Sequence, residues 1–133
     1  KWPGRIEKIK YKNKFIIFDG SHNISGAEKL NVYLRENNIK PNVIYGMLNN
    51  KKIFQFLSIL KKNIDTLYPI KIPHEKNSFS QKDILEIAKK IHLKIIIKKN
   101  LSEINHLLIS SRNKYILVTG SLYLVGKIRK KYL

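Results

Sequence analysis

Short runs of β-branched and aromatic residues alternate along this chain with segments in which apolar residues recur every three or four positions. Phe15-Ile16-Ile17-Phe18 is apolar without a break and ends at Asp19-Gly20, the pattern of a strand buried on both faces. Ser25-Gly26-Ala27-Glu28 has the spacing of a capping box, and Ala27, Leu30, Tyr33 and Leu34 fall on one face of the helix it opens. Asn38 and Pro41 stop that helix. Residues 42–45 read as the next strand, leaving through Gly46, and Ile53, Phe54, Leu57 and Leu60 predict a second amphipathic helix. The rhythm then repeats: a strand near 66–70, a loop carrying Pro73, a helix opened by Ser80, and a strand at 94–97. Asn100 with Glu103 forms another capping pair, for a helix with Ile104, Leu107 and Leu108 on one side. A strand at 115–118 exits through Thr119-Gly120-Ser121 into a last helix at 122–131, where Lys127, Arg129, Lys130 and Lys131 complement the C-terminal dipole.

Strands separated by helical crossovers of about 10 to 20 residues imply a mainly parallel sheet with helices on both faces. The fold class is therefore α/β, a single Rossmann-like domain over residues 1–133. Residues 5–10 alternate apolar and polar instead, as an edge strand or an extended entry segment does. Ligands of such sheets sit outside the carboxyl ends of the strands. That singles out the loops at 19–23, 46–50 and 119–121.

Composition narrows the class. At 133 residues the chain has a one-domain length, and 43% apolar with 10% aromatic residues is globular composition. No apolar run approaches the ~18 residues of a membrane span, so no membrane association is expected. Without cysteine there are no disulfides or thiolate metal sites, and a cytoplasmic setting is the expectation. The start at Lys1-Trp2-Pro3-Gly4, with neither an initiator Met nor a leader, suggests an excised or processed piece.

A formal charge of +18 invites a nucleic-acid reading, a basic α/β binding module held by phosphate contacts. Yet the cations are 23 Lys and 4 Arg, and Lys, Ile and Asn together make 58 of the 133 residues. These three share A/T-rich codons. A compositional drift that spreads Lys over solvated faces produces the same charge, leaving only non-specific attraction of polyanions, whereas phosphate readers lean on the bidentate fork of Arg.

Candidate chemistry gathers at one strand tip. Asp19 ends an apolar strand in a chain poor in carboxylates; it is either a ligand-contacting group or the start of an Asx turn. His22, just before a helix N-terminus, is placed to orient an anionic group, or is simply solvated. Arg5 stands out among so many Lys as a phosphate-holding guanidinium, its alternative being a surface residue covering Trp2. Ser121 can cap the last helix, and Leu122 and Tyr123 read as packing residues. No phosphate-binding glycine loop, nucleophile elbow or cluster of His and carboxylates at metal spacing is present. His74, His92 and His106 are scattered and read as structural or solvated. A nucleotide touched here would have its phosphates cradled elsewhere.

Four blocks in order resemble the C-terminal domain of folylpolyglutamate synthase/dihydrofolate synthase. They are Trp2-Pro3-Gly4-Arg5-Ile6-Glu7, Phe18-Asp19-Gly20-Ser21-His22-Asn23, Val43-Ile44-Tyr45-Gly46-Met47-Leu48 and residues 118–126, which begin Val118-Thr119-Gly120-Ser121-Leu122-Tyr123. More distantly the chain is similar to the C-terminal domain of the Mur ligases. The resemblance implies half of an ATP-dependent ligase that joins L-glutamate to dihydropteroate or a folate through an acyl-phosphate. It implies an N-terminal P-loop ATPase domain, absent from these residues, that holds most of the ATP phosphates and the Mg²⁺. Arg5 and Asp19 match positions that contact ATP, and His22 matches one tied to glutamate binding and catalysis. Ser121 and Tyr123 lie in the closing, glutamate-side motif. The chain departs from the family at Asn49-Asn50-Lys51-Lys52, where two carboxylates are usual, and around 76–80, where an Arg is often carried. The domain alone is expected to be inactive.

Overall fold

The computed structural model describes residues 6–48 and 52–132. In chain order the elements are β1 (Glu7–Tyr11), β2 (Lys14–Asp19), α1 (Ile24–Glu36), β3 (Asn42–Tyr45), α2 (Ile53–Leu60), β4 (Leu67–Pro69), α3 (Gln81–Lys90), α4 (Leu101–Ser110), β5 (Tyr115–Thr119) and α5 (Leu122–Tyr132). A single 3-10 turn, Lys61–Asn63, follows α2. The five strands form one sheet in the order β1-β2-β5-β3-β4, parallel except for β1, which folds back antiparallel on β2. The expected α/β class is what the chain adopts.

Strand alternation sorts the core into two layers. Ile17, Val43, Leu67 and Leu117 face one side, where Leu30 and Leu34 of α1, Phe56 and Leu57 of α2, and Ile84 of α3 cover them. Ile16, Phe18, Ile44, Ile116 and Val118 face the other, under Ile104 and Leu108 of α4 and Leu124 and Ile128 of α5. Each such fully buried side chain stabilises by about 1.5–3 kcal/mol. β2 and β5 stay paired to their last residues, Asp19 and Thr119, but the chain leaves them toward helices on opposite faces of the sheet. That makes a topological switch point, where a crevice opens at the sheet edge.

Two polar anchors pin the sheet to elements of the second face, that of α4 and α5. Lys14, only 2% exposed at the foot of β2, donates to the Asn113 carbonyl at 2.9 Å and to the Ser111 carbonyl at the end of α4. Burial without a carboxylate partner lowers its pKa. Arg129 of α5 grips Glu7 of β1 through two parallel 2.7 Å bonds, the fork geometry that Lys cannot make. This pair raises the pKa of the Arg129 guanidinium, chiefly through the hydrogen bond to Glu7.

Three sequence expectations are corrected. The cap of α1 is Asn23, which has an extended backbone and whose side-chain Oδ1 accepts the Gly26 N–H at 2.8 Å, so Ser25 lies inside the first turn. Phe56, not Phe54, completes the buried face of α2, and Phe54 is exposed. Residues 94–97 make only a bridge, Ile95 to Leu67. Leu67 donates to the Lys94 carbonyl and accepts from the Ile96 N–H, both at 2.9 Å. The next bond of a parallel ladder would need a donor from Pro69, which has none.

Candidate functional site

Each side of the crevice is built by a short run of local bonds. Asp19 ends β2 almost wholly buried, and its Oδ1 accepts both the Ser21 N–H at 2.8 Å and the Ser21 hydroxyl at 2.6 Å. The Asx-turn reading of Asp19 is thus realised, and it turns the chain sharply toward α1. A Cβ on Gly26 would come within 2.6 Å of the Ser21 hydroxyl oxygen, so glycine lets the first turn of α1 press against that loop. No acidic residue sits in this turn, and its N–H groups favour negative charge nearby. His22 is half-buried, with Nδ1 3.2 Å from the Gly20 carbonyl. A carbonyl can only accept, so Nδ1 carries the proton and Nε2 is the acceptor of the neutral ring.

From β5, Gly120 donates its N–H to the Ser21 carbonyl at 3.1 Å and stitches the two strand tips together. Gly120 has a φ of +108°, and a Cβ there would lie 2.1 Å from the Gly46 carbonyl oxygen. No other residue fits that turn. Ser121 is buried and caps α5, its hydroxyl accepting the Leu124 N–H at 3.3 Å.

These loops enclose a cleft of about 540 Å³ lined by Ile6, Asp19, His22, Lys29, Tyr33 and Leu122, among others. A smaller hollow of about 240 Å³ adjoins it, lined by His22, Leu48, Gly120, Ser121, Leu122 and Tyr123. His22 and Leu122 belong to both and form the partition between them. The larger volume suits a drug-sized or nucleotide-sized ligand.

The structure therefore brings four of the five sequence candidates together: Asp19 and His22 on the cleft, His22, Ser121 and Tyr123 on the hollow. Arg5 lies outside the described residues. Leu122 and Tyr123 stay half-exposed, at 49% and 42%, because the buried stripe of α5 begins only at Leu124, although the Leu122 side chain lies close over Gly20. Lys127 Nζ stands 5.5 Å over the Tyr123 ring and holds it at the surface. Sequence reading missed Lys29 and Tyr33, which lie one helical turn apart on α1 and both face the cleft. A lysine among 23 carries no signal, and Tyr33 matched the apolar face on which it also half-packs. Sequence reading placed Thr119 in a candidate loop but gave it no role; the buried Thr119 hydroxyl is the one side-chain group of its kind without a hydrogen-bond partner among the described residues.

At the two departures, Asn49, Asn50 and Lys51 lie outside the described residues, while Lys52 is exposed and makes no side-chain cap for α2. In the stretch 76–80, Ser78 accepts the Ile72 N–H at 2.8 Å and Ser80 caps α3 through the Asp83 N–H at 3.1 Å. Exposed lysines sit on β1 (Lys8, Lys10), on α1 and α3 of one face (Lys29, Lys82, Lys89), and on α5 of the other (Lys127, Lys130). They form no single basic face. Among the described residues no group of three His, Asp or Glu could hold a metal ion, and no helix is long and apolar enough to cross a membrane.

Comparison with known proteins bears on this geometry. The family described as "Dihydrofolate synthetase, C-terminal domain" matches residues 4–131. The dihydrofolate synthase/folylpolyglutamate synthase of Bacillus subtilis (strain 168) is 26% identical over 138 residues, covering 98% of this chain and 30% of the relative. The crystal structure of folylpolyglutamate synthase from Thermotoga maritima superposes with a TM-score of 0.84 at 27% identity, covering 99% of this chain and 31% of the other. FolC of E. coli, in complex with DHPP and ADP, superposes with a TM-score of 0.81 at 20% identity over 98% of this chain and 31% of that one. The chain spans about a third of the length of these proteins.

Proposed function

This chain belongs to the family of dihydrofolate synthetase C-terminal domains, and from that premise we propose that it supplies the ATP- and L-glutamate-facing wall of a cytoplasmic amide ligase, a folylpolyglutamate synthase/dihydrofolate synthase. In this reading the γ-phosphoryl group of ATP passes to the carboxylate of dihydropteroate or a folate, and ADP departs. The glutamate amine then attacks the acyl-phosphate carbonyl, forming the amide and expelling phosphate. The observation that carries the reading is the convergence of Asp19 and His22 on one cleft at the switch point, joined through His22 and Leu122 to a second hollow.

The two compartments suit two ligands. Asp19 faces the larger one, where a carboxylate accepts hydrogen bonds from ribose or base. His22 stands at the partition, and its Nε2 lone pair can take the proton that the glutamate ammonium loses before attack. Ser121 and Tyr123 line the glutamate side, and the first turn of α1 with Lys29 favours anionic groups at the rim. Arg5 offsets charge on the transferring phosphoryl group. The described residues do not form a cage for Mg²⁺, and in this reading the metal and the phosphate cradle fall to an N-terminal P-loop domain as partner. Closure of the two domains excludes water from the hydrolysable acyl-phosphate.

The test joins this chain to a P-loop-bearing N-terminal domain and follows ADP release. We expect glutamate-dependent release from the joined enzyme, none from this chain alone, and a loss of about 100-fold or more in His22→Ala and Asp19→Ala. Rates unchanged by both substitutions would show that the cleft is not the reacting site.

A further inference from the structure

We infer that Thr119 is a positioning residue that holds the Asp19 carboxylate when Asp19 engages a nucleotide, an inference that rests on the nucleotide reading of the cleft. Thr119 is fully buried and its hydroxyl has no partner among the described residues. A buried hydroxyl left unsatisfied destabilises a fold and calls for a reason. Thr119 and Asp19 are directly paired in register across the parallel strands β5 and β2. Both continue the row that contains Leu117 and Ile17, so they share a face of the sheet.

The rest of that row narrows the acceptor. On its other side Thr119 is paired with Tyr45, whose hydroxyl is already directed to the Met47 sulfur at 3.1 Å. Thr119 does not line the cleft itself, whereas Asp19 does. Its hydroxyl therefore acts on a ligand through Asp19 or not at all. With Ser21 as its partner, Asp19 Oδ1 is committed to the loop. When the carboxylate turns from Ser21 toward a ribose, the adjacent Thr119 O–H supplies a replacement donor and fixes its new angle. The unsatisfied hydroxyl is the cost of keeping that donor ready, in keeping with sites that trade stability for function.

The experiment compares Thr119→Val, Thr119→Ser and Asp19→Ala in the full-length enzyme carrying this domain, reading thermal unfolding and steady-state kinetics with ATP. Thr119→Val removes the hydroxyl at constant shape. It should raise the melting temperature and raise KM for ATP about tenfold, the loss of one hydrogen bond to a charged group. KM for glutamate should stay within about twofold of the parent enzyme's, and Thr119→Ser should restore KM for ATP. A Thr119→Val enzyme with KM for ATP unchanged overturns the positioning role. So does a raised KM that serine fails to restore. Asp19→Ala separates this failure from that of the underlying reading: if it also leaves KM for ATP unchanged, the nucleotide assignment falls and the role of Thr119 falls with it.

Discussion

Asp19 accepts two hydrogen bonds from Ser21, the N–H at 2.8 Å and the hydroxyl at 2.6 Å, so one carboxylate both shapes the loop after β2 and lines the cleft. Shape and charge can be separated by substitution. Asparagine keeps an oxygen able to accept both bonds and discards the charge, whereas alanine discards both. Asp19→Asn is expected to fold with stability within about 0.5 kcal/mol of the parent. Asp19→Ala should lose about 1–3 kcal/mol in denaturant unfolding, since the buried-side donors of Ser21 are left unpaired. Both should bind nucleotide poorly.

Lys14 offers a pH test of the core. Its pKa is lowered in the folded state from an ordinary 10.5 by burial. Between the folded and unfolded values the unfolded chain therefore binds more protons, and stability rises with pH. The contribution is complete above the unfolded value and is lost as pH falls through the folded one. Lys14→Met should remove this upward slope in urea unfolding measured across the alkaline range up to about pH 10.5. An identical slope in both proteins would contradict the burial of a chargeable Lys14.

Gly120 carries the turn that stitches the two strand tips. Alanine there meets a φ of +108° and a carbonyl oxygen 2.1 Å from its Cβ. Gly120→Ala should cost about 3 kcal/mol or more, the sum of backbone strain and a backbone clash. Thermal unfolding would report it directly, and the cleft should lose ligand affinity with it.

The charge of +18 yields a prediction of its own. Lysines distributed over β1, α1, α3 and α5 on both faces of the sheet give a diffuse positive field, not a groove. Binding to duplex DNA should therefore be weak near physiological salt and indifferent to sequence, falling steeply as salt rises. Sequence-specific binding in the nanomolar range would favour the nucleic-acid reading.

The strands that matter most were readable because they are buried on both faces: 15–18, 42–45 and 115–118 became β2, β3 and β5 with ends shifted by at most a residue. Asp19 and His22 were readable from their place at a strand tip. Other features depend on contacts that no local pattern reports. Lys14 is bonded to carbonyls 97 and 99 residues away and looks in sequence like any other lysine of a basic chain. The strand expected at 94–97 failed because its neighbour places Pro69 where a donor was needed, a fact about pairing and not about residues 94–97 themselves. The exposure of Tyr123 follows from where the buried face of α5 begins, and the isolation of the Thr119 hydroxyl from which residues flank it in the sheet.

The central claim, that Asp19 faces ATP and His22 faces glutamate across one partition, is tested most directly by the kinetic signature of each substitution in the joined enzyme. KM for ATP and KM for glutamate are measured for Asp19→Asn and His22→Ala under the same conditions. The geometry predicts that Asp19→Asn raises KM for ATP about tenfold or more with little change for glutamate. His22→Ala should do the reverse and lower kcat as well. Equal effects on both substrates, or none on either, would contradict the two-compartment account.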